Sequence, residues 1–121
     1  MNSRPQRRVA ERFGRHAETL CVWWLRLRGY RVLARRFAAG VGEIDIVARR
    51  GSLLAVVEVK ARADFQIGES PLTSRQRGRI HRAAEVFLAR FPRFANHDVR
   101  FDLMLVRPWR VPRHLTDAWR P

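Results

Sequence analysis

Two short apolar stretches of the chain each carry a pair of charged residues two positions apart. Glu43 and Asp45 alternate with isoleucines, and Glu58 and Lys60 alternate with valines. Because successive residues of a strand point to opposite faces, each pair shares one face of its strand, and the isoleucines share the other. Residues 49–52, Arg-Arg-Gly-Ser, predict a hairpin turn. All four charged side chains then lie on one face, unless a one-residue bulge breaks the alternation.

The three carboxylates of this hairpin suggest a site for a divalent cation. The chain has only 11 acidic residues, and three of them, left alone on one face, would repel each other. Hard cations such as Mg²⁺, or alternatively Mn²⁺, take oxygen ligands and relieve that repulsion. We therefore predict Asp45, Glu58 and Glu43 as metal ligands. A metal ion held there can polarise a phosphodiester and activate a water molecule.

Lys60 is unusual among the basic residues of this chain. Lysine and arginine together number 25, and Lys60 is the only lysine, so 24 are arginine. An ammonium group can lose its proton when it is desolvated, whereas a guanidinium effectively cannot. Lys60 could therefore position or deprotonate a water molecule, or stabilise charge on a pentacoordinate phosphorus. The alternative is chance in an arginine-rich composition, with Lys60 extending from the strand end into solvent.

Charge and composition restrict the partner. The 121 residues are 46% hydrophobic, with a formal charge of +14 and a pI of about 11.9. These values fit one compact domain over residues 9–121, after a flexible basic arm at 1–8. Such a charge favours nucleic acid, DNA in particular, over a membrane surface. The lone Cys21, and the lack of an apolar signal core, predict a reducing, cytoplasmic location.

The apolar spacing predicts an α/β fold with a mixed central sheet flanked by helices. The first helix spans about 9–27, with an apolar stripe that includes Ala17, Leu20, Trp24 and Leu27. The second spans 74–91, capped by Thr73 or Ser74 and ended by Pro92. Strands are expected after Gly29 and at 43–48, 53–60 and 99–106. Residues 61–73 form a long loop, and the tail from Pro108 is an edge strand or a docked segment.

Several charged residues outside the hairpin have two interpretations. Glu18 is a border residue that pairs with Arg15, or a fourth carboxylate that reaches the hairpin. The first turns of the second helix are basic, which opposes the helix dipole. These basic residues either bind a phosphate backbone or form a solvated face of the helix. On the first interpretation, the nucleic-acid contacts are Arg15, Arg75, Gln76, Arg79 and Arg82. For Asp102 we expect a structural partnership with an arginine.

The spacing of the hairpin residues resembles a known nuclease core. Twelve residues separate Asp45 from the motif Glu58-Val59-Lys60, which is similar to the D…ExK core of the PD-(D/E)xK nuclease superfamily. The wider pattern resembles the YraN family of small endonuclease-like bacterial proteins over nearly the whole chain. It comprises Gly14…Glu18, Gly29-Tyr30, Gly42-Glu43-Ile44-Asp45, the basic second helix and Arg100-Phe101-Asp102. That family is similar to archaeal Holliday-junction resolvases, which have the restriction-endonuclease-like fold.

The resemblance implies roles for single residues. Asp45 and Glu58 would be metal ligands, Lys60 the catalytic lysine and Glu18 a helix-borne catalytic acid. Gln76 and Arg79 fall where such nucleases place supporting polar residues. The second helix starts Ser74-Arg75-Gln76-Arg77, where a lysine is expected, so any basic role there passes to arginine.

Three functional hypotheses follow. The first is a magnesium-dependent DNA endonuclease that acts on branched, recombination or repair intermediates. The second is a catalytically silent module that keeps the nuclease fold and binds nucleic acid through arginines. The third is an adaptor that binds a protein through exposed tryptophans. By analogy with nucleases that cut two strands, the tail and the 61–73 loop are a candidate face for a homodimer.

Overall fold

A computed structural model describes residues 4–61 and 72–121, and the side chains from Arg15 onwards. Two α-helices, a short 3-10 helix (Pro92–Phe94) and five strands follow one another along the chain. They are α1 (Arg4–Leu27), β1 (Arg31–Ala38), β2 (Glu43–Arg50), β3 (Leu53–Ala61), α2 (Ser74–Arg90), β4 (Asp98–Val106) and β5 (Arg113–Trp119). In the described part of the chain, no helix is long and apolar enough to cross a membrane.

The five strands form one mixed sheet in the order β1-β2-β3-β4-β5. Neighbouring strands are antiparallel except β3 and β4, which are parallel. Parallel neighbours need a crossover connection, and α2 lies within that connection. The apolar pattern on both faces of β4 predicted a central position, and β4 does lie between β3 and β5. The tail pairs with β4 as the edge strand β5.

Two apolar clusters, one under each helix, make the core. Cys21 and Leu25 of α1 pack with residues of one sheet face, including Ile46, Val57 and Met104. The opposite face packs against α2 through a second set, namely Ile44, Val47, Leu54, Val56, Ile80, Ala83, Phe87, Phe101 and Leu103. We call these the α1 face and the α2 face. The predicted mixed sheet flanked by helices is thus the observed architecture.

The first helix differs from its prediction in two ways. It begins at Arg4, five residues before the predicted start at about residue 9. Its buried apolar positions are Ala17, which the predicted stripe included, with Cys21, Val22 and Leu25, whereas Leu20 and Leu27 of that stripe are 42% and 80% exposed. The prediction favoured large apolar side chains. The small side chain of Cys21 is buried in their place.

Local signals elsewhere hold. Arg50 pairs with Leu53, so Gly51 and Ser52 form a two-residue hairpin turn, and Gly51 has the positive φ of 60° that glycine allows. Thr73 caps α2, which ends at Arg90, two residues before Pro92. The 61–73 loop expected from the sequence lies outside the described residues, except for its ends.

Candidate active site

The candidate site lies where β2 and β3 part. Their ladder runs from Arg50↔Leu53 to Ile46↔Val57, and the same register, extended by one residue, sets Asp45 opposite Glu58. Beyond that point Asp45 Oδ2 accepts a hydrogen bond of 2.8 Å from the backbone N–H of Val59. A side-chain carboxylate thus takes the place of a strand carbonyl, and it is anchored at the end of the ladder.

The alternation of β2 breaks at this point. Ile44 packs in the α2-face cluster, and Ile46 packs in the α1-face cluster. The expectation that these isoleucines share one face is therefore wrong, and there is an interruption of the alternation between them. It arises because the Glu43 end of β2 leaves β3 while it remains paired with β1. Asp45 sits at the break, near α1 on one side and Glu58 on the other.

The two carboxyls at the break hold their protons more tightly than usual. Burial, opposed by the hydrogen bonds from Val59 and Glu58, raises the pKa of Asp45, with the charges of Glu18 and Glu43 adding to the rise. Burial and the charge of Asp45 raise the pKa of Glu58 to about 8, although the charge of Lys60 lowers it. The hydrogen bond between the two side chains lowers the pKa of Asp45 and raises that of Glu58, so it favours the proton on Glu58.

Lys60 and Glu58 alternate along β3 with residues of the α1 face, so both point towards the α2 face. Each is partly exposed. Lys60 acts on Glu58 through its charge. The structure therefore brings Asp45, Glu58 and Lys60 together, as the hairpin pattern predicts, in an open gap between two strands.

Cys21 lies beneath this site, and sequence reasoning assigned it no place there. Its side chain is fully buried. Burial and the charges of Asp45 and Glu18 raise the pKa of its thiol to about 12. Cys21 is therefore a neutral side chain of the α1 face, near Asp45. Its position four residues after Ala17 was the available signal, because small residues at that spacing permit close packing of a helix on a sheet.

Glu18 has partners that neither expectation included. Its carboxylate accepts hydrogen bonds from Arg35 Nε at 3.4 Å and Arg36 Nε at 3.2 Å, both on β1. Glu18 is only 7% exposed, while Arg15 is exposed. Its charge still contributes to the raised pKa of Asp45. Glu18 is thus beside the site, and two arginines hold it there.

Backbone strain accompanies this ion pair. Arg36 has a φ of 51°, a left-handed conformation that costs roughly 1–3 kcal/mol for a residue with a side chain. Sequence reasoning missed both arginines, since their side chains reach Glu18 only in the folded sheet.

Oxygen donors suitable for Mg²⁺ are present, but as a pair. Within the described part of the chain, no group of three or more histidine, cysteine or carboxylate side chains is placed to hold a metal ion. Glu43 is exposed and acts on Asp45 and Glu58 through its charge, but the three do not form such a group. Mg²⁺ is commonly bound by one or two carboxylates plus substrate phosphates. The mutually repelling Asp45 and Glu58 fit that pattern.

The Gly42 of the Gly-Glu-Ile-Asp motif contacts α2. A Cβ added at Gly42 would lie 2.9 Å from the backbone oxygen of Arg79. Only glycine allows this approach, which brings the start of β2 against α2. Arg75, Arg79 and Arg82 of that helix are exposed.

The structure gives Gln76 a local function. Its side-chain oxygen accepts a hydrogen bond from Thr73 N at 2.9 Å, and its N–H donates to Thr73 Oγ1 at 3.1 Å. These reciprocal bonds form the capping box of α2. Gln76 therefore has a structural role at the start of α2. Its expected contact with nucleic acid would compete with these capping hydrogen bonds to Thr73.

Asp102 lies in a separate buried network. Arg100 donates two hydrogen bonds of 2.7 Å to it, and Asp117 N donates one of 3.0 Å. His114 Nε2 lies 2.8 Å from Oδ2. Burial alone would raise the pKa of Asp102, but the bonds from His114 and Arg100 lower it. The predicted structural partnership with an arginine is confirmed.

Sequence comparison places the chain among closely similar proteins. The sequence model of Uncharacterised protein family UPF0102 matches residues 17–106. A UPF0102 protein of Paramagnetospirillum magneticum is 53% identical, with 99% of this chain and 98% of that protein aligned. A UPF0102 protein of Parvibaculum lavamentivorans is 56% identical over 93% of this chain and 85% of its own length.

Structure comparison identifies a similar fold in a solved protein. Hjc, a Holliday junction resolvase from the archaeal hyperthermophile Archaeoglobus fulgidus, superposes with a TM-score of 0.54 at 20% sequence identity. The match covers 82% of this chain and 72% of the resolvase. The chain therefore has the resolvase-like, restriction-endonuclease-like fold that the sequence resemblance implied.

Proposed function

The chain belongs to Uncharacterised protein family UPF0102, the YraN-like family that its sequence resembles, and we propose that it is a magnesium-dependent endonuclease acting on DNA. One observation carries the proposal. Asp45 and Glu58 meet in the gap between β2 and β3, where burial raises the pKa of both carboxyls and the charge of Asp45 raises that of Glu58 further. A protein that merely binds phosphate gains nothing from two such acids, because they repel the ligand. A divalent cation resolves that conflict.

The proposed chemistry divides between the ion and the chain. Mg²⁺ held by Asp45, Glu58 and the substrate phosphate would polarise the phosphodiester and activate water for attack. Asp45 is orientated for this by the N–H of Val59. Lys60, on the same strand as Glu58, stabilises the negative charge that develops on the phosphorus oxygens. Glu18, held by its two arginines, adds negative charge that favours cation binding at Asp45.

The substrate class follows from charge and fold. The formal charge of +14, together with the exposed arginines at 75, 79 and 82 on α2, supports a polyanionic partner. The likeness to a Holliday junction resolvase concerns the fold. It is the reason to place four-way and flapped DNA among the substrates tested, beside linear duplex.

The test is cleavage of linear, flapped and four-way DNA with Mg²⁺, with Mn²⁺ and with a chelator. We expect metal-dependent products from the wild type, and loss of at least a hundredfold in Asp45→Asn and Lys60→Ala, by analogy with the loss of single electrostatic groups elsewhere. Lys60→Arg keeps the charge and tests whether lysine itself is required. Wild-type protein that cuts none of the three above background would overturn the proposal.

A second candidate is a nucleic-acid-binding module without catalysis, and one observation favours it. Arg31 and Arg49 face each other across the β1–β2 ladder. With Arg93 and His97 they line a cavity of about 430 Å³ at the end of β2 away from Asp45. Like charges directly opposite each other are destabilising, and a bound phosphate would compensate them. Salt-sensitive binding without cleavage, weakened by Arg49→Gln, would favour this candidate.

A further inference from the structure

A fully exposed tryptophan stands on the turn between β4 and β5. Trp109 has a relative exposure of 102% and a φ of 62°. The turn is closed by a backbone hydrogen bond of 3.4 Å from Arg110 N to Arg107 O. Both the exposure of a large indole and the left-handed backbone are unfavourable for the isolated protein. The fold nevertheless holds the ring out into solvent.

Beside the ring lies a groove between this turn and α1. Its apolar lining includes Leu20, Trp24, Trp109 and Val111, and its volume is about 460 Å³. Arg107, Arg110 and His16 also line it, and none of the described lining residues is acidic. The groove therefore combines aromatic and aliphatic walls with a basic rim.

The position of the groove relates it to the candidate active site. β3 and β4 are parallel, with Lys60 paired with Leu105 and Ala61 with Val106. The turn that carries Trp109 begins directly after Val106. It therefore leaves the sheet at the same end as Glu58 and Lys60, one strand away. The groove lies on the α1 side of that end, whereas Glu58 and Lys60 point towards the α2 face, so a nucleic acid that contacts both would pass over this end of the sheet.

We propose that this groove binds an unpaired nucleobase of the nucleic acid, stacked on Trp109, while Arg107 and Arg110 contact the adjacent phosphates. The inference rests on the proposed nucleic-acid partner and deepens it, because it selects substrates with unpaired bases. Stacking on aromatic rings beside arginines is how proteins bind single strands without reading sequence. A second copy of the chain is disfavoured as the occupant, since it would add another +14 of charge to a basic rim.

Binding in the absence of metal tests the proposal independently of cleavage. The probes are a fluorescein-labelled duplex with a single-stranded flap and a fully paired duplex of equal length, measured by anisotropy in chelator. We expect the wild type to prefer the flap. Trp109→Ala should weaken flap binding roughly 5- to 100-fold and leave duplex binding nearly unchanged. Trp109→Phe, which keeps an aromatic face, should retain part of the preference.

The matched control is Trp23→Ala. Trp23 is also exposed, at 58%, but it does not line the groove, so its loss should leave both affinities unchanged. Equal flap binding by Trp109→Ala and the wild type would overturn the proposal. So would a change confined to self-association in sedimentation velocity, which would identify a second copy as the occupant. A wild type that binds duplex and flap equally refutes this inference alone, whereas one that binds neither refutes the proposed function too.

Discussion

The pKa of Glu58 is determined by neighbours with opposing effects. Burial and Asp45 raise its pKa, Lys60 lowers it, and the net result is about 8. A buried carboxyl of this kind favours cation binding, because a metal ion compensates the carboxylate charge that water stabilises at exposed positions. Asp45 is held in place by a hydrogen bond from the N–H of Val59, and its side chain is hydrogen-bonded to that of Glu58.

This raised pKa predicts that the metal-free protein loses stability as pH rises. Between the ordinary value of 4.5 and about 8, the folded state binds a proton that the unfolded state has released. Stability therefore falls with rising pH across that window, and the raised pKa of Asp45 acts in the same direction. Urea unfolding in chelator at pH 5, 6, 7 and 8 measures it.

Glu58→Gln is the control for that experiment, since the amide cannot titrate. Its stability should change less between pH 5 and 8 than that of the wild type. Added Mg²⁺ should stabilise the wild type more at pH 8 than at pH 6, because ligation requires the carboxylate. Parallel curves for wild type and Glu58→Gln would contradict the assignment.

Asp102 is predicted to matter for stability alone. Its carboxylate receives three hydrogen bonds from protein N–H groups and contacts His114. Asp102→Ala leaves Arg100 without its carboxylate partner, although the hydrogen bond to the Tyr30 hydroxyl remains, and should lower the free energy of unfolding by about 3–5 kcal/mol. Asp98→Ala, an exposed change on the same strand, should stay within about 0.5 kcal/mol. A small loss at Asp102 in urea titrations would mean that the network relaxes around the missing carboxylate.

At the scale of elements, the site depends on two departures from regular structure. β2 leaves β3 at Ile46↔Val57, which opens the gap that Asp45 and Glu58 occupy. α2 then approaches the start of β2 closely, because Gly42 has no side chain. The small residues of α1 have a similar effect on the other face, where Cys21 lies beneath Asp45.

Gly42→Ala therefore tests the contact between β2 and α2. The added methyl would lie 2.9 Å from the Arg79 backbone oxygen and 3.1 Å from its Cβ, so a helix backbone must move. We expect a loss of about 1–3 kcal/mol in the free energy of unfolding. Gly78→Ala is the matched control within α2. Its Cβ would have only an ordinary contact of 3.6 Å, with Arg82, and alanine should stabilise the helix by up to about 1 kcal/mol. Effects of the same sign at both positions would contradict this account.

For the whole molecule, net charge dominates encounters with other molecules. The +14 charge attracts polyanions over distances of about 10 Å at ordinary salt. Within that field, the exposed arginines of α2 lie near the candidate site, since Arg79 contacts Gly42 three residues before Asp45.

Nucleic-acid affinity should therefore fall steeply with salt. Replacement of Arg75, Arg79 and Arg82 by glutamine should weaken binding and reduce the slope of log K against log[salt] by about 1 per phosphate contact removed. Arg26→Gln with Arg28→Gln, at and just beyond the C-terminal end of α1, serves as a comparison that removes two positive charges away from α2. A slope unchanged by the α2 replacements would show that another surface holds the phosphates.

Much of the fold followed from local patterns. Alternating residues and the turn at 49–52 predicted the β2–β3 hairpin and one patch for Asp45 and Glu58, whereas the two-residue length of the turn, which sets the register, was decided by the structure. Spacing of apolar residues and capping signals located α2, and a β4 that is largely apolar on both faces implied a central strand. The pattern of charged residues along the chain indicated the family and, through that resemblance, the restriction-endonuclease-like fold.

Tertiary structure decided what depends on contacts between distant segments. It placed Ile44 and Ile46 on opposite faces, since β2 turns away from β3 while it remains paired with β1. It turned Cys21 towards the sheet in place of the larger Leu20, and it joined Glu18 to Arg35 and Arg36. None of these has a local signature, because the energies that decide them come from packing and charge between residues far apart in sequence.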